Sequence, residues 1–158
     1  MSESLWRRVL FPSHRTHGSP GSPKAHDMPR VLVVTASYWD QTFYRSVCAR
    51  GEWDIVIAQS APEALRLVTT EAFPIVLCDR DLPGWGWREV LAKLVETSPR
   101  ICFLLTSSVS DAYLWREVVM HGGYDVVAKP LVEDVVVQTL RRAWYYWKAG
   151  PPPAKPSV

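Results

Sequence analysis

The sequence predicts an α/β fold in three layers: a doubly wound, five-stranded parallel sheet in the order 2-1-3-4-5, a (βα)5 arrangement. Two observations carry this. Five short runs, 31–34 (VLVV), 55–58 (IVIA), 75–78 (IVLC), 101–105 (ICFLL) and 126–128 (VVA), are rich in β-branched residues and apolar at successive positions. Strands look like this when both faces are covered. The stretches between the runs carry helical spacing, and strands alternating with helices imply right-handed parallel crossovers with helices on both faces. A third observation is length: 158 residues is one domain's worth, and at 47% hydrophobic it can bury a core.

Each element has its own signal. After the second run, Ser60-Ala61-Pro62-Glu63 reads as a capping box ahead of ALRLV, with Pro62 tolerated in a first helical turn. Segment 87–96 (WREVLAKLVE) places apolar residues at i, i+3, i+4 and i+7. Segment 111–121 runs into Gly122-Gly123, a helix stop. The last helix spans about 133–148 and contains VVVQTLRRAWYYWK. Residues 1–29, dominated between 11 and 29 by Pro, Gly, Ser and His, form an arm that is disordered or loosely structured. The folded domain is 30–148, and 149–158 is a Pro-rich tail that cannot continue a helix.

Composition excludes several classes. Arg7, Arg8, Arg15 and Lys24 outweigh Glu3 and Asp27 in the arm, and the tail adds Lys155. The body is therefore within one charge of neutral, which supplies no electrostatic reason to bind nucleic acid. No apolar stretch approaches the roughly 20 residues that span a bilayer, and no continuous apolar segment marks a secretory signal. Cys48, Cys78 and Cys102 form no CxxC or Cys/His cluster and read as small hydrophobes of a reducing compartment. His14, His17 and His26 are too loosely spaced, without thiolate neighbours, to be expected to form a metal site. The expected location is cytoplasmic.

In an open parallel sheet, function sits at the carboxyl ends of the strands beside the topological switch point. Strand 1 ends in Thr35-Ala36-Ser37, strand 3 in Asp79-Arg80-Asp81-Leu82-Pro83-Gly84, strand 4 in Thr106-Ser107-Ser108 and strand 5 in Lys129-Pro130. A carboxylate, a hydroxyl and an amine thus converge on one rim, a set suited to acyl-phosphate chemistry: the carboxylate attacks phosphorus, and the ammonium and hydroxyl bind phosphoryl oxygens. No Gly-rich phosphate loop follows strand 1 (TASYWDQ), which argues against a nucleotide binder or a small flavodoxin-like enzyme. The chain is not expected to be an enzyme.

Over about residues 30–148 the chain resembles the receiver domain of two-component response regulators, a CheY-like, flavodoxin-like fold. Asp79-x-x-Leu82-Pro83-Gly84 resembles that family's phosphoacceptor loop, Thr106 its switch hydroxyl, and Lys129-Pro130 its Lys-Pro, usually joined by a cis peptide bond. SAPEALRLV resembles the second helix, and Gly122-Gly123 stands where the family has Gly-Ala. The resemblance implies Asp79 as phosphoacceptor, Lys129 as its partner and Thr106 as a phosphoryl-oxygen ligand. It also implies a stand-alone phosphorelay module served by a histidine kinase or phosphotransfer protein, since only a tail follows residue 148.

Two departures shape the expectation. The family ends strand 1 in two acidic residues that hold Mg2+; here Thr35 and Ala36 occupy those places. Asp79 and Asp81 then make a weak Mg2+ site at best, with Asp40, one helical turn on, expected to point elsewhere. The alternative function is a pseudo-receiver, a phosphorylation-independent protein-interaction module. The second departure is Val126 where the family often has a switch aromatic, with Tyr124 expected on the same side of the strand but near its start.

Trp144, Tyr145, Tyr146 and Trp147 are consecutive on the last helix. They span about 300° of the wheel, so at least one or two must be exposed. With Tyr113 and Trp115 of the fourth helix they are expected to form an interaction surface on the face made by the fourth helix, fifth strand and fifth helix, for a homodimer or a downstream protein.

Overall fold

The computed structural model describes residues 28–150. The elements alternate without interruption: β1 Arg30–Val34, α1 Tyr38–Ala49, β2 Asp54–Ala58, α2 Ala61–Thr70, β3 Ile75–Asp79, α3 Trp87–Thr97, β4 Cys102–Ser107, α4 Ala112–Met120, β5 Asp125–Ala128 and α5 Glu133–Ala149. All neighbouring strands pair in parallel, in the order β2-β1-β3-β4-β5. Fold class and strand order are as the sequence predicts. The arm before residue 28, with its three histidines, and the tail from residue 151 lie outside the described residues.

The successive apolar residues of each strand divide by parity between two cores. Leu32, Val34, Val76, Cys78, Phe103, Leu105 and Val126 face α2, α3 and α4, meeting Ala64, Val68, Val90, Leu91, Leu94, Leu114 and Val118. Val31, Val33, Ile75, Leu77, Cys102, Leu104 and Val127 face α1 and α5, meeting Tyr44, Val47, Val136, Leu140 and Ala143. Two-sided burial is why these strands do not alternate apolar with polar.

Local signals act as the sequence suggests, with one change. The Ser60 hydroxyl accepts the Glu63 N–H at 3.3 Å, closing half of the capping box, but the Glu63 carboxylate accepts from Gln59 N–H at 2.8 Å rather than from Ser60. Asp111 caps α4 by accepting the Leu114 N–H at 2.8 Å. The helix ends at Gly122, whose φ of +93° few other residues adopt.

Tyr124 departs from expectation. It precedes β5 and packs in the α1/α5 layer, its ring 4.9 Å from that of Tyr146, while Val126 is buried in the opposite layer. Period-two counting fails there because residue 124 is not yet part of the strand.

Candidate functional site

Parity explains which side chains meet at the rim. Asp79 follows Ile75 and Leu77 on β3, and Thr106 follows Cys102 and Leu104, so both point toward the α1/α5 layer. They are register partners between β3 and β4. Thr35 continues Val31 and Val33, and Lys129 continues Val127, on the same side. Ala36 has the other parity and is exposed.

Lys129 holds the site together. Its ammonium lies 2.9 Å from Asp79 Oδ2 and 2.6 Å from Asp40 Oδ2. Asp40 therefore points inward, correcting the expectation that it points elsewhere. The cause lies in α1: the Ser37 hydroxyl caps the helix by accepting the Asp40 N–H at 3.3 Å, which sets Asp40 in the first turn of a helix packed on the sheet's α1/α5 side. An acidic residue there also suits the positive end of the helix.

Thr35 fills the gap between the carboxylates. Its hydroxyl stands 3.3 Å from Asp79 Oδ2 and 3.4 Å from Asp40 Oδ2 and donates to one or the other, while accepting the Ser37 N–H at 3.1 Å. The Gln41 amide anchors the same turn by donating to the Thr35 carbonyl at 3.2 Å. Asp79 Oδ1 accepts the Asp81 N–H at 3.1 Å, and the Lys129 N–H donates to the Ser107 carbonyl at 2.9 Å. The Lys129-Pro130 bond is cis.

Burial sets the electrostatics. Asp79 is buried and Thr106 and Thr35 are almost inaccessible. Desolvation works to lower the Lys129 pKa, but its hydrogen bonds to Asp40 and Asp79 outweigh burial and raise it above the ordinary 10.5. Beneath the site, the buried Tyr44 hydroxyl has no hydrogen-bond partner. Burial, with the charges of Asp40 and Asp79, drives its pKa far above 10.0.

The rim thus brings together Asp79, Lys129 and Thr106 from the sequence-predicted set. Asp81 reaches the site through its N–H, and its side chain is exposed. Sequence reasoning missed Asp40 and the bridging part of Thr35. The available signals were strand parity for Thr35 and the Ser37-x-x-Asp40 cap for Asp40.

The aromatic residues divide as helix geometry requires. Tyr145 and Tyr146 are exposed, whereas Trp144 and Trp147 are half-buried and stacked, with ring centroids 5.4 Å apart. Tyr113 is exposed on α4 and Trp115 packs against the opposite core, so the two aromatic sets flank the edge strand β5.

A five-stranded parallel sheet in this order, with a carboxylate and a lysine meeting at its carboxyl rim, is the architecture of the flavodoxin-like receiver fold. Comparison with known proteins agrees. A CheY-like response regulator receiver domain from Methanospirillum hungatei JF-1 superposes with a TM-score of 0.72 at 17% identity, covering 79% of this chain and all of that one. The chemotaxis protein CheY4 of Vibrio cholerae gives 0.69 at 19% identity, covering 73% and 98%.

Among curated proteins, the C4-dicarboxylate transport transcriptional regulatory protein DctD of Rhizobium meliloti is 31% identical over 84 residues, 53% of this chain and 18% of that protein. The hydrogenase transcriptional regulatory protein HoxA of Cupriavidus necator is 30% identical over 114 residues, 72% and 23%. The chain spans only about a fifth to a quarter of the length of the curated relatives it matches. No family model matches it. The chain has the fold of CheY-like response-regulator receiver domains.

Receiver domains typically bind Mg2+ at an acidic site. Mg2+ seeks an octahedron of oxygens, usually with one or two carboxylates among them. The donor set here does not fit that pattern. Ala36 offers no side-chain oxygen, the Asp81 carboxylate is exposed, and the Oδ2 atoms of Asp40 and Asp79 are both committed to Lys129. Among the described residues, no three His, Cys, Asp or Glu side chains group as a metal site.

Proposed function

We propose that this chain acts as a receiver module in phosphorelay signal transduction, with Asp79 as phosphoacceptor and protein–protein contacts as its output. The observation that carries this reading is the Asp79–Lys129 pair, 2.9 Å apart at the sheet's carboxyl rim with Thr106 in register beside it. In this reading an Asp79 oxygen bonds to phosphorus as the donor's P–N bond breaks, and the electron pair leaves with the imidazole of a histidine kinase or phosphotransfer protein. Lys129 and the Thr106 hydroxyl then bind phosphoryl oxygens. The module works in the cytoplasm as a non-enzymatic unit that contacts neither nucleic acid nor membrane. Among the described residues no helix is long and apolar enough to cross a bilayer.

A second reading, a pseudo-receiver that partners recognise without phosphate, is favoured by Thr35-Ala36 at the end of β1 and by a lysine already paired with two carboxylates. One experiment separates the two: incubation with a small phosphodonor, with and without Mg2+, followed by measurement of acid-labile phosphate. Phosphate that appears on the wild type and not on Asp79→Asn supports the first reading. Its absence under both conditions supports the second.

A further inference from the structure

We propose that the Lys129 ammonium is the resident cation of this site, doing the charge neutralisation that a divalent metal would otherwise do, and that Asp40 is the positioning residue that holds it there. The ammonium sits 2.6 Å from Asp40 Oδ2 and 2.9 Å from Asp79 Oδ2, and both oxygens also lie within reach of the Thr35 hydroxyl. The ammonium and the Thr35 hydroxyl thus engage both Oδ2 atoms, which leaves a shared metal the Oδ1 atoms, and Asp79 Oδ1 already accepts the Asp81 N–H at 3.1 Å. Two carboxylates and one ammonium leave the cluster a single negative charge, too little to draw a dication past a fixed positive group.

Lys129 is also poorly placed to withdraw. Its backbone N–H is tied to the Ser107 carbonyl at 2.9 Å, and its side chain is 21% exposed. A strand-end acid lost at Thr35 and Ala36 is thus replaced by a carboxylate from the first turn of α1, and that carboxylate binds a lysine. This inference concerns the cation alone and stands whether or not Asp79 accepts phosphate.

The test uses Mn2+ as the probe and the electron spin resonance of free Mn2+ as the readout, on the full chain with no phosphodonor present. The wild type is expected to leave the free-ion signal unchanged into the millimolar range. Lys129→Met should bind Mn2+ at least about tenfold more tightly, because it removes a unit charge within about 4 Å of the ion. Adding Asp40→Asn to that variant should abolish the gain.

Wild-type binding as tight as that of Lys129→Met would overturn the proposal, as would a gain that survives Asp40→Asn undiminished. Should Lys129→Met fail to fold by circular dichroism, the ammonium itself decides. In 1H–15N correlation spectra its signal should be protected from exchange in the wild type and insensitive to added MgCl2, and lost in Asp40→Asn. A signal displaced by MgCl2, or unchanged by Asp40→Asn, refutes the assignment.

Discussion

Replacing Lys129 by Met keeps most of the aliphatic stem and removes the charge. The side chains of Asp79, Asp40 and Lys129 are 7%, 15% and 21% exposed, so the two carboxylates lose their counter-charge in a place water reaches poorly. Removing one partner of a buried pair costs about 3–5 kcal/mol. Asp40 is the more exposed of the two carboxylates, and its residual hydration points to the lower end, about 3 kcal/mol. In a domain of this size that corresponds to a fall of about 10 °C in the melting midpoint.

Asp79→Asn leaves Lys129 its contact with Asp40 and should cost no more than that, about 1.5–3 kcal/mol, the worth of a hydrogen bond to a charged group. The double variant should lose less than the sum of the two, with a coupling of about 1–3 kcal/mol. Thermal and urea unfolding at neutral pH measure all three. The raised Lys129 pKa gives the pH dependence its sign: the contribution is full below the ordinary 10.5 and disappears as pH rises through the higher folded-state value. The gap between wild type and Lys129→Met should therefore persist through neutral pH and close only in strong alkali. A Lys129→Met protein as stable as the wild type, strictly additive losses, or a higher midpoint for Asp79→Asn would refute the pairing.

Cys78 and Cys102 are buried, and burial raises both thiol pKa values, that of Cys102 to about 12, whereas Cys48 is half-buried. A thiol-reactive disulfide reagent at mildly alkaline pH should label Cys48 first and the other two only on unfolding; three equally fast thiols would contradict the packing. Gly123→Ala drives a Cβ into the Val118 side chain and to 3.0 Å from its carbonyl oxygen, so it should cost about 1–3 kcal/mol, read as a lower urea midpoint at unchanged slope. If the exposed Tyr145 and Tyr146 with Tyr113 form a contact surface, any self-association should weaken in a variant with all three changed to Ser, and should respond little to salt because the body is nearly neutral. Sedimentation at low and high salt checks this; association that disappears at high salt would point to charge instead.

The five apolar runs determined the strands by themselves, because a strand covered on both faces must be apolar at every position, and 75–78 or 101–105 have no other use. The same runs, separated by helical periodicity, made the order 2-1-3-4-5 readable and placed Asp79, Thr106 and Lys129 on one rim. Exposure within Trp144–Trp147 followed from helical angle alone. Tertiary structure decided the rest of the site. Whether Asp40 faces the rim depends on how α1, once capped by Ser37, lies on the sheet, and spacing does not encode that angle. Tyr124 entered the α1/α5 layer because β5 begins one residue later, a boundary set by pairing with β4. A strand's two faces are written in its own periodicity. The partner that a helix's first turn offers to a neighbouring strand is fixed only when the layers pack.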